Sequence, residues 1–278
     1  NREAAQETGL NENLPVALGC ADTAAAAFAL GVSHDGDVFE SAGTSDVLSF
    51  CLTKPSFNGS FLNRAHVFPN RWLALGAMAT AGASMDWMRN NIFPDLTTAS
   101  DLENEAAASL PGSEGILFLP YLSGERSPIF DPAARGMWFG LHLGVTRGDL
   151  VRAVYEGIAF GLKQILEVAC KQWHFKVSRI PCVGGAAKSK LGLQIRADIL
   201  EAEYTACMFP EAAALGAAIL GGIAAGVFAG PTDPNIPFIA DFSSSVRPNE
   251  RNKDIYQHLF GIYKDLYNST KNQMHQLP

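Results

Sequence analysis

The sequence predicts an α/β chain. Short runs of β-branched and aromatic residues alternate along it with segments whose apolar residues recur every four positions. A tight hairpin, "FESAGTSDVLSF", and a wholly apolar run, "GILFLPYL", supply strand signals. "TRGDLVRAVYEGIAFGLKQILEVACKQW" supplies the clearest helix.

From the N-terminus, Leu14–Gly19 reads as a short buried strand leading into a helix over Thr23–Leu30. In the hairpin, Val38-Phe39 and Val47-Leu48 flank the small polar turn Gly43-Thr44-Ser45. Arg71–Thr80 reads as a strand whose later half is ambiguous, and "AGASMDWMRNNI" as a helix stopped by Pro94. The run 115–122 has the apolar continuity of a central strand covered on both faces. In the long helix, Thr146 and Asp149 stand at capping-box spacing, and Leu150, Val154, Ile158, Leu162, Ile165 and Ala169 line one face. Arg179–Val183 is a strand feeding the turn "GGAAKS". The next helix, "KLGLQIRADILEAEY", carries Leu191, Ile195 and Ile199. Residues 212–230 are uncharged and about long enough to span a bilayer, but they are mostly Ala and Gly, with Leu215, Ile219, Ile223 and Val227 in one stripe. A buried helix packed closely on a neighbour is the expectation there. "KDIYQHLFGIYKDLYNSTKNQ" closes the chain as an amphipathic helix.

The totals exclude several classes. The chain has 278 residues, 47% apolar and 18% charged, with a net charge of −7. That is globular, and without a basic stripe it argues against a nucleic-acid binder. Five cysteines without CxxC spacing read as reduced thiols of a cytoplasmic protein. Six scattered histidines with no HxH or HxxxH pair argue against zinc. The N-terminus has no signal-peptide layout and no Met, and reads as a cut through something longer.

Three constellations could carry chemistry. Gly43-Thr44-Ser45 joins a donor without a side chain to two hydroxyls, as an anion cradle needs; the plain reading of so short a motif is a surface turn. "VGGAAKS" sits between a strand and a helix N-terminus, where backbone N–H groups favour an anion, although a tight structural turn explains it equally. It matches neither the P-loop nor GxGxxG. Asp22 follows a predicted strand, either as an N-cap or as a carboxylate able to take a proton from a hydroxyl. The long segment "YLSGERSPIFDPAARGMWFGL" reads as an ordered functional loop, with Glu125 and Arg126 a surface ion pair or part of an interface.

These pieces, in this order, resemble the C-terminal lobe of the FGGY family of carbohydrate kinases over nearly the whole chain. "TGLNENLPVALGCADTAAAAFALGV" is similar to the family's start of that lobe, "SAGTSDVLSF" to its second phosphate loop and "AGASMDWMRN" to its nucleotide-side helix. "GERSPIFDPAARGMWFGLHLGVTRGDLVRAVYEGIAF" is similar to its long signature. "VGGAAKSKLGLQIRADIL" followed by "EAAALGAAILGGIAAG" is similar to its adenosine region.

The resemblance implies an actin-like ATPase (ribonuclease H-like) fold, with residues 1–278 forming the C-terminal nucleotide-binding domain and 1–13 the end of a missing N-terminal lobe or linker. It implies ATP-dependent phosphorylation of a sugar or polyol, with ATP and Mg²⁺ as cofactors. Asp22 would be the general base, and Gly43, Thr44 and Ser45 would face the terminal phosphates. Gly82 and Asp86 would contact nucleotide, though glycerol kinases carry Gln at the latter; Gly184, Gly185 and Ser189 would hold the ADP moiety. The helix 212–227 would pack close to the nucleotide loops. No metal ligand is assigned to this chain, because the family's first phosphate loop, of Asp-x-Gly-Thr type, is absent, and with it most sugar contacts and help with magnesium. The chain alone is therefore expected not to turn over. "GCADT" also departs from the commoner Gly-Gly-x-Asp-Gln/Asn. A ketose or related polyol is the preferred substrate class. The other reading is a non-catalytic nucleotide-binding or interaction module. Expected partners are the sugar, ATP and the missing lobe, with a homodimer left open and neither nucleic acid nor membrane.

Overall fold

The computed structural model describes residues 1–207, 209 and 211–278. Its centre is a sheet of six strands in the order β3-β4-β2-β1-β7-β8. The first four are β1 (Val38–Ala42), β2 (Asp46–Leu52), β3 (Leu62–Ala65) and β4 (Trp72–Ala77). They are antiparallel, with β4 inserted between β2 and the edge strand β3, and the predicted hairpin is β1-β2 with Ala42 opposite Asp46. Beyond β1 the sheet turns parallel, through β7 (Arg179–Gly184) and then β8 (Glu203–Ala206).

Alternation along the strands sends successive side chains to opposite faces. Leu48, Phe50, Ala74 and Cys182 join the larger core with the helices α5 (Arg147–Trp173) and α6 (Lys190–Leu200). Phe39, Cys51, Leu73 and Val183 face the other way, into a core with α2 (Asp22–Ala29) and α7 (Ala212–Ala224). The sheet is thus covered by helices on both sides. α3 (Gly82–Asn91) and α4 (Ala99–Ala107) lie along the α5 side, and α8 (Lys253–Met274) buries Tyr256, Leu259, Phe260, Tyr263 and Leu266 against that core. α1 (Arg2–Thr8) buries nothing. Thr146 and Asp149 form the expected capping box, which satisfies the first amides of α5.

Four expectations need correction. Leu14–Gly19 is not a buried strand: it has no ladder, and Val16 and Leu18 are 88% and 96% exposed. Pro15 cannot donate, and both sheet edges lie elsewhere, at β3 and β8. The run 115–122 is not central. Only β5 (Leu117–Leu119) forms, paired with β6 (Met137–Phe139) in a separate two-stranded sheet, and its apolar continuity reflects burial against α5 and α8. The helix predicted through Tyr204 stops at Leu200, where Glu201 takes a left-handed conformation with φ 55°, and the sequel is the edge strand β8. Finally, α7 buries only Ala212, Gly216 and Ile219, and it packs against α2. A Cβ on Gly216 would lie 2.0 Å from the Ala25 carbonyl oxygen, so the small residues serve this helix pair. Val227 lies beyond the helix and is exposed.

Candidate functional site

The turn Gly43-Thr44-Ser45 is held from behind by the start of α3. The amide of Gly82 donates to the Gly43 carbonyl at 3.1 Å, and those of Ala81 and Ala83 to the Thr44 carbonyl at 3.1 and 3.0 Å. The N-terminal donors of a helix, usually left for a cap or ligand, here fix the turn itself. A Cβ on Gly82 would lie 2.4 Å from the Gly43 oxygen, so only glycine lets the two backbones meet. Gly184 does the same at the end of β7: with φ 97°, its Cβ would stand 2.3 Å from the Ala42 oxygen.

In front of this turn lies a cavity of about 360 Å³. Ala42, Gly43, Thr44 and Asp46 supply one wall, and Gly82, Met85, Asp86 and Arg89 of the α3 segment another. The β7–α6 connection adds Gly185, Ala186 and Ser189, with Arg196 behind them; Tyr155 and Ile158 of α5 and Ala99 and Leu102 of α4 close it. Apolar walls with a few convergent polar groups suit a ligand with a flat organic part and a charged end.

The charged groups fall into two sets. Asp86 and Arg89 pair at 2.9 Å on the rim. Inside, Arg196 donates from Nε to Glu40 Oε1 at 2.8 Å and from Nη2 to Asp46 Oδ2 at 2.9 Å. The Tyr204 hydroxyl donates to Glu40 Oε2 at 2.8 Å. All three charged side chains are at least 95% buried. Asp46 Oδ1 has no hydrogen-bond partner among the described residues. Burial, with Glu40 adding and Arg196 opposing, raises the Asp46 carboxyl well above the usual carboxylate range.

Residues 38–225 match the FGGY family of carbohydrate kinases, C-terminal domain. The chain belongs to the FGGY family of carbohydrate kinases. It is 32% identical over 271 residues to the xylulose kinase of Staphylococcus epidermidis, covering 96% of this chain and 54% of that protein. With the gluconokinase of Bacillus subtilis it shares 27% identity over 288 residues, or 99% of this chain and 55% of the other. The crystal structure of xylulose kinase from Rhodospirillum rubrum superposes with a TM-score of 0.88 at 27% identity, over 99% of this chain and 56% of that one. The chain spans about half the length of the curated relatives it matches. The fold is the actin-like ATPase fold of FGGY kinases, and the chain is its C-terminal domain.

The cavity gathers six of the residues that the FGGY resemblance singled out: Gly43, Thr44, Gly82, Asp86, Gly185 and Ser189. They come from three stretches far apart in sequence. Ser189 also caps α6, accepting from the Gly192 amide at 2.9 Å. Ser45 and Gly184 do not line the cavity; Gly184 shapes the strand end behind it. Asp22 does not line it either. It is exposed at the first turn of α2, where Ala21 is the N-cap, and its Oδ1 accepts from the Thr23 amide at 2.7 Å and, at 3.3 Å, from the Thr23 hydroxyl. Beside it a shallow depression is lined by Leu18–Ala21, Arg64–Val67 and Leu220. No residue of α7 lines the 360 Å³ cavity, contrary to expectation.

Glu125 and Arg126 do not pair. The Glu125 carboxylate is buried and accepts from the amides of Ala79 and Arg126 on the same oxygen, at 2.6 and 2.7 Å, while the Arg126 guanidinium donates to the Met78 carbonyl. The loop is thereby pinned to the end of β4. Sequence reasoning passed over Glu40, Asp46, Tyr155 and Arg196. A signal existed: Glu40 alternates with Val38 and Ala42, Asp46 with Leu48 and Phe50, and Arg196 adjoins the Ile195 and Ile199 stripe. Charges at inward positions of periodic elements need one another.

Proposed function

We propose that this chain is the ATP-binding lobe of a kinase that phosphorylates a sugar or polyol, and that Asp22 is the general base on the acceptor hydroxyl. One observation carries the reading: three distant stretches, each assigned to nucleotide by resemblance, meet around one cavity of about 360 Å³. In this reading Gly43 and Thr44 face the terminal phosphates, Gly82 and Asp86 contact the nucleotide, and Gly185 and Ser189 hold the ADP moiety, with Ser45 and Gly184 shaping the turns behind them. The apolar pair Met85 and Leu102 suits the flat face of a base. Phosphoryl transfer asks for positioning and charge neutralisation, which a rigid turn clamped by helix amides can supply.

Asp22, outside the cavity, would orient and deprotonate the acceptor, with only its Oδ1 engaged among the described residues. The acceptor's remaining contacts would come from a second lobe. The xylulose kinase relatives favour a ketose such as a pentulose. Among the described residues there is no group of three or more His, Cys, Asp or Glu side chains able to hold a metal ion. Mg²⁺ therefore has no cage here and would arrive on the ATP phosphates, as this ion commonly does. All five cysteines are free thiols, which supports action in a reducing cytoplasm. None of the described helices is long and apolar enough to cross a membrane.

The test has two arms. ATP and ADP should displace a fluorescent ATP analogue from this chain, and Thr44→Val should weaken displacement; no displacement at any concentration would overturn the nucleotide reading. In the longer protein carrying both lobes, Asp22→Asn should lower sugar-dependent ADP release by at least about 100-fold. A residual rate within a few-fold of wild type would remove the general-base role, and undiminished binding with no turnover of any sugar would favour the non-catalytic module.

A further inference from the structure

Glu40, Asp46 and Arg196 put two carboxylates on a single guanidinium inside the protein. Glu40 on β1 and Asp46 on β2 point to the same face of the hairpin, two pairs apart in register. Both carboxylates reach the same guanidinium from that face. The Arg196 guanidinium reaches both, and its Nη1 donates to the Gly192 carbonyl at 3.4 Å. The Tyr204 hydroxyl of β8 completes Glu40. Among the described residues no donor reaches Asp46 Oδ1. Across the same cavity stand Asp86 and Arg89, paired with each other, and the remaining titratable groups against the cluster are a thiol and two phenols. Burial raises the Cys182 thiol of β7 and the Tyr204 phenol, and it pushes the Tyr155 phenol of α5 up to about 12. Among the described residues no second cation enters it.

With both carboxyls ionised the cluster would carry one uncompensated negative charge away from water, which costs several kcal/mol per ion in real proteins. A proton shared between two facing carboxyls removes that charge, and Asp46 Oδ1 is the oxygen with room for it. Asp46 and Arg196 also line the cavity, directly behind the Gly43-Thr44-Ser45 turn. The geometry points to a proton-linked site: Glu40 and Asp46 share one proton beside Arg196, and Asp46 sets polyphosphate affinity through the charge of that wall. With the proton the cluster is neutral and admits an anion. When Asp46 Oδ1–H gives its proton to water, the wall carries −1 and repels the phosphates. Binding of a nucleoside polyphosphate above neutral pH therefore takes up one proton from solvent. The identity of the anion rests on the nucleotide reading above; the shared proton does not.

The closing experiment reads the two separately, on this chain, wild type, Asp46→Asn and Glu40→Gln. Infrared difference spectra without nucleotide should show a carboxylic-acid carbonyl band at pH 6 that is lost by pH 9. The buried Glu125 carboxyl contributes to such a band in every variant, so the reading is the part of the band that Asp46→Asn loses. ADP affinity should fall about tenfold between pH 6 and pH 8.5 in wild type, since one linked proton changes a constant at most tenfold per unit. Asp46→Asn keeps the shape and the neutral charge, so its ADP affinity relative to wild type should rise about tenfold over the same range; ionisation of ADP itself is common to both proteins and cancels in that ratio. Glu40→Gln serves as the second variant should Asp46→Asn fold poorly, and its relative affinity should rise likewise. A band that Asp46→Asn leaves undiminished, or an unchanged slope in a folded variant, overturns the proposal. A titrating band with no ADP binding at any pH would leave the shared proton standing while overturning both the linkage and the nucleotide reading.

Discussion

Two stretches that resemblance assigns to one active site differ in how they are built. Ala42–Asp46 is bounded by hydrogen-bonded strands, clamped by the amides of α3 and backed by a buried ionic cluster. Leu14–Asp22 has no ladder, carries Val16 and Leu18 almost wholly exposed, and leaves Asp22 at the surface. The stretch assigned to nucleotide is preorganised by contacts within this chain. The stretch assigned to the acceptor presents apolar side chains that none of the described residues covers, as a surface built to meet something else does. Changes in the first region should cost stability, and equivalent changes in the second should not.

The largest effect is expected at Arg196. Arg196→Met leaves Glu40 and Asp46 facing each other in the interior, and removing one partner of a buried pair costs about 3–5 kcal/mol. Urea unfolding at pH 7.5 reads this directly. A loss below about 1 kcal/mol would mean that the cluster is wetter than it is here. The loss should shrink at pH 5, where the Asp46 carboxyl, raised by burial, holds a proton.

Gly82 and Gly19 offer a matched pair. A Cβ on Gly82 would press the Gly43 carbonyl carbon and oxygen at 3.1 and 2.4 Å, whereas one on Gly19 would meet nothing within 4 Å. Gly82→Ala should cost about 1–3 kcal/mol, the usual penalty for forcing atoms into filled space, and should weaken nucleotide displacement by shifting the turn. Gly19→Ala should stay within about 0.5 kcal/mol of wild type. Equal costs at the two positions would abolish the distinction between the regions.

The same contrast explains what could be read from the sequence. Elements whose periodicity agrees with their surroundings were legible: the hairpin, α5 with its Thr146 cap, β7 and α8. Leu14–Gly19 misled because an apolar run reports only that burial is wanted, not which surface provides it. The run 115–122 misled because burial against helices leaves the same pattern as burial inside a sheet. At the site, the residues at turns and chain reversals were recognisable from their small side chains. Glu40, Asp46 and Arg196 were not, because what joins them is a contact across 150 or more positions of sequence. The role of Gly216 was equally hidden: a composition of small residues announces a close approach but not the partner, here α2.

Acidity offers a smaller and more selective probe. Burial pushes the Glu125 carboxyl up to about 7, against an ordinary value of 4.5, despite the two amides it accepts. The folded state therefore holds a proton that the unfolded chain has released. The stability this represents is complete below about pH 4.5 and is lost as pH rises through about 7, at no more than about 1.4 kcal/mol per unit. Both amides donate to Oε1, so Glu125→Gln keeps the accepting oxygen and removes the titration. Its stability should match wild type at pH 5 and exceed it at pH 8. Burial lowers the His66 imidazole, which adds an opposite slope as pH falls, but it does so equally in both proteins. Parallel profiles for the two would show that Glu125 is ionised in the fold.

The smallest expected effect sharpens the comparison most. Val16→Ser and Leu18→Ser remove side chains that are 88% and 96% exposed, and on this chain they should change unfolding free energy by no more than about 0.5 kcal/mol each. Burying such a side chain contributes about 1.5–3 kcal/mol, so the two cases separate clearly. If either variant loses more than 1 kcal/mol, the segment is covered in solution. Stability that then rises with protein concentration in wild type and not in the variant would identify the cover as a second copy of the chain. In the longer protein, by contrast, the same substitutions should destabilise and lower sugar-dependent activity together. That outcome would mark Leu14–Gly19 as the seat of the second lobe, and explain why the segment bearing Asp22 stays unfinished in the chain that carries it.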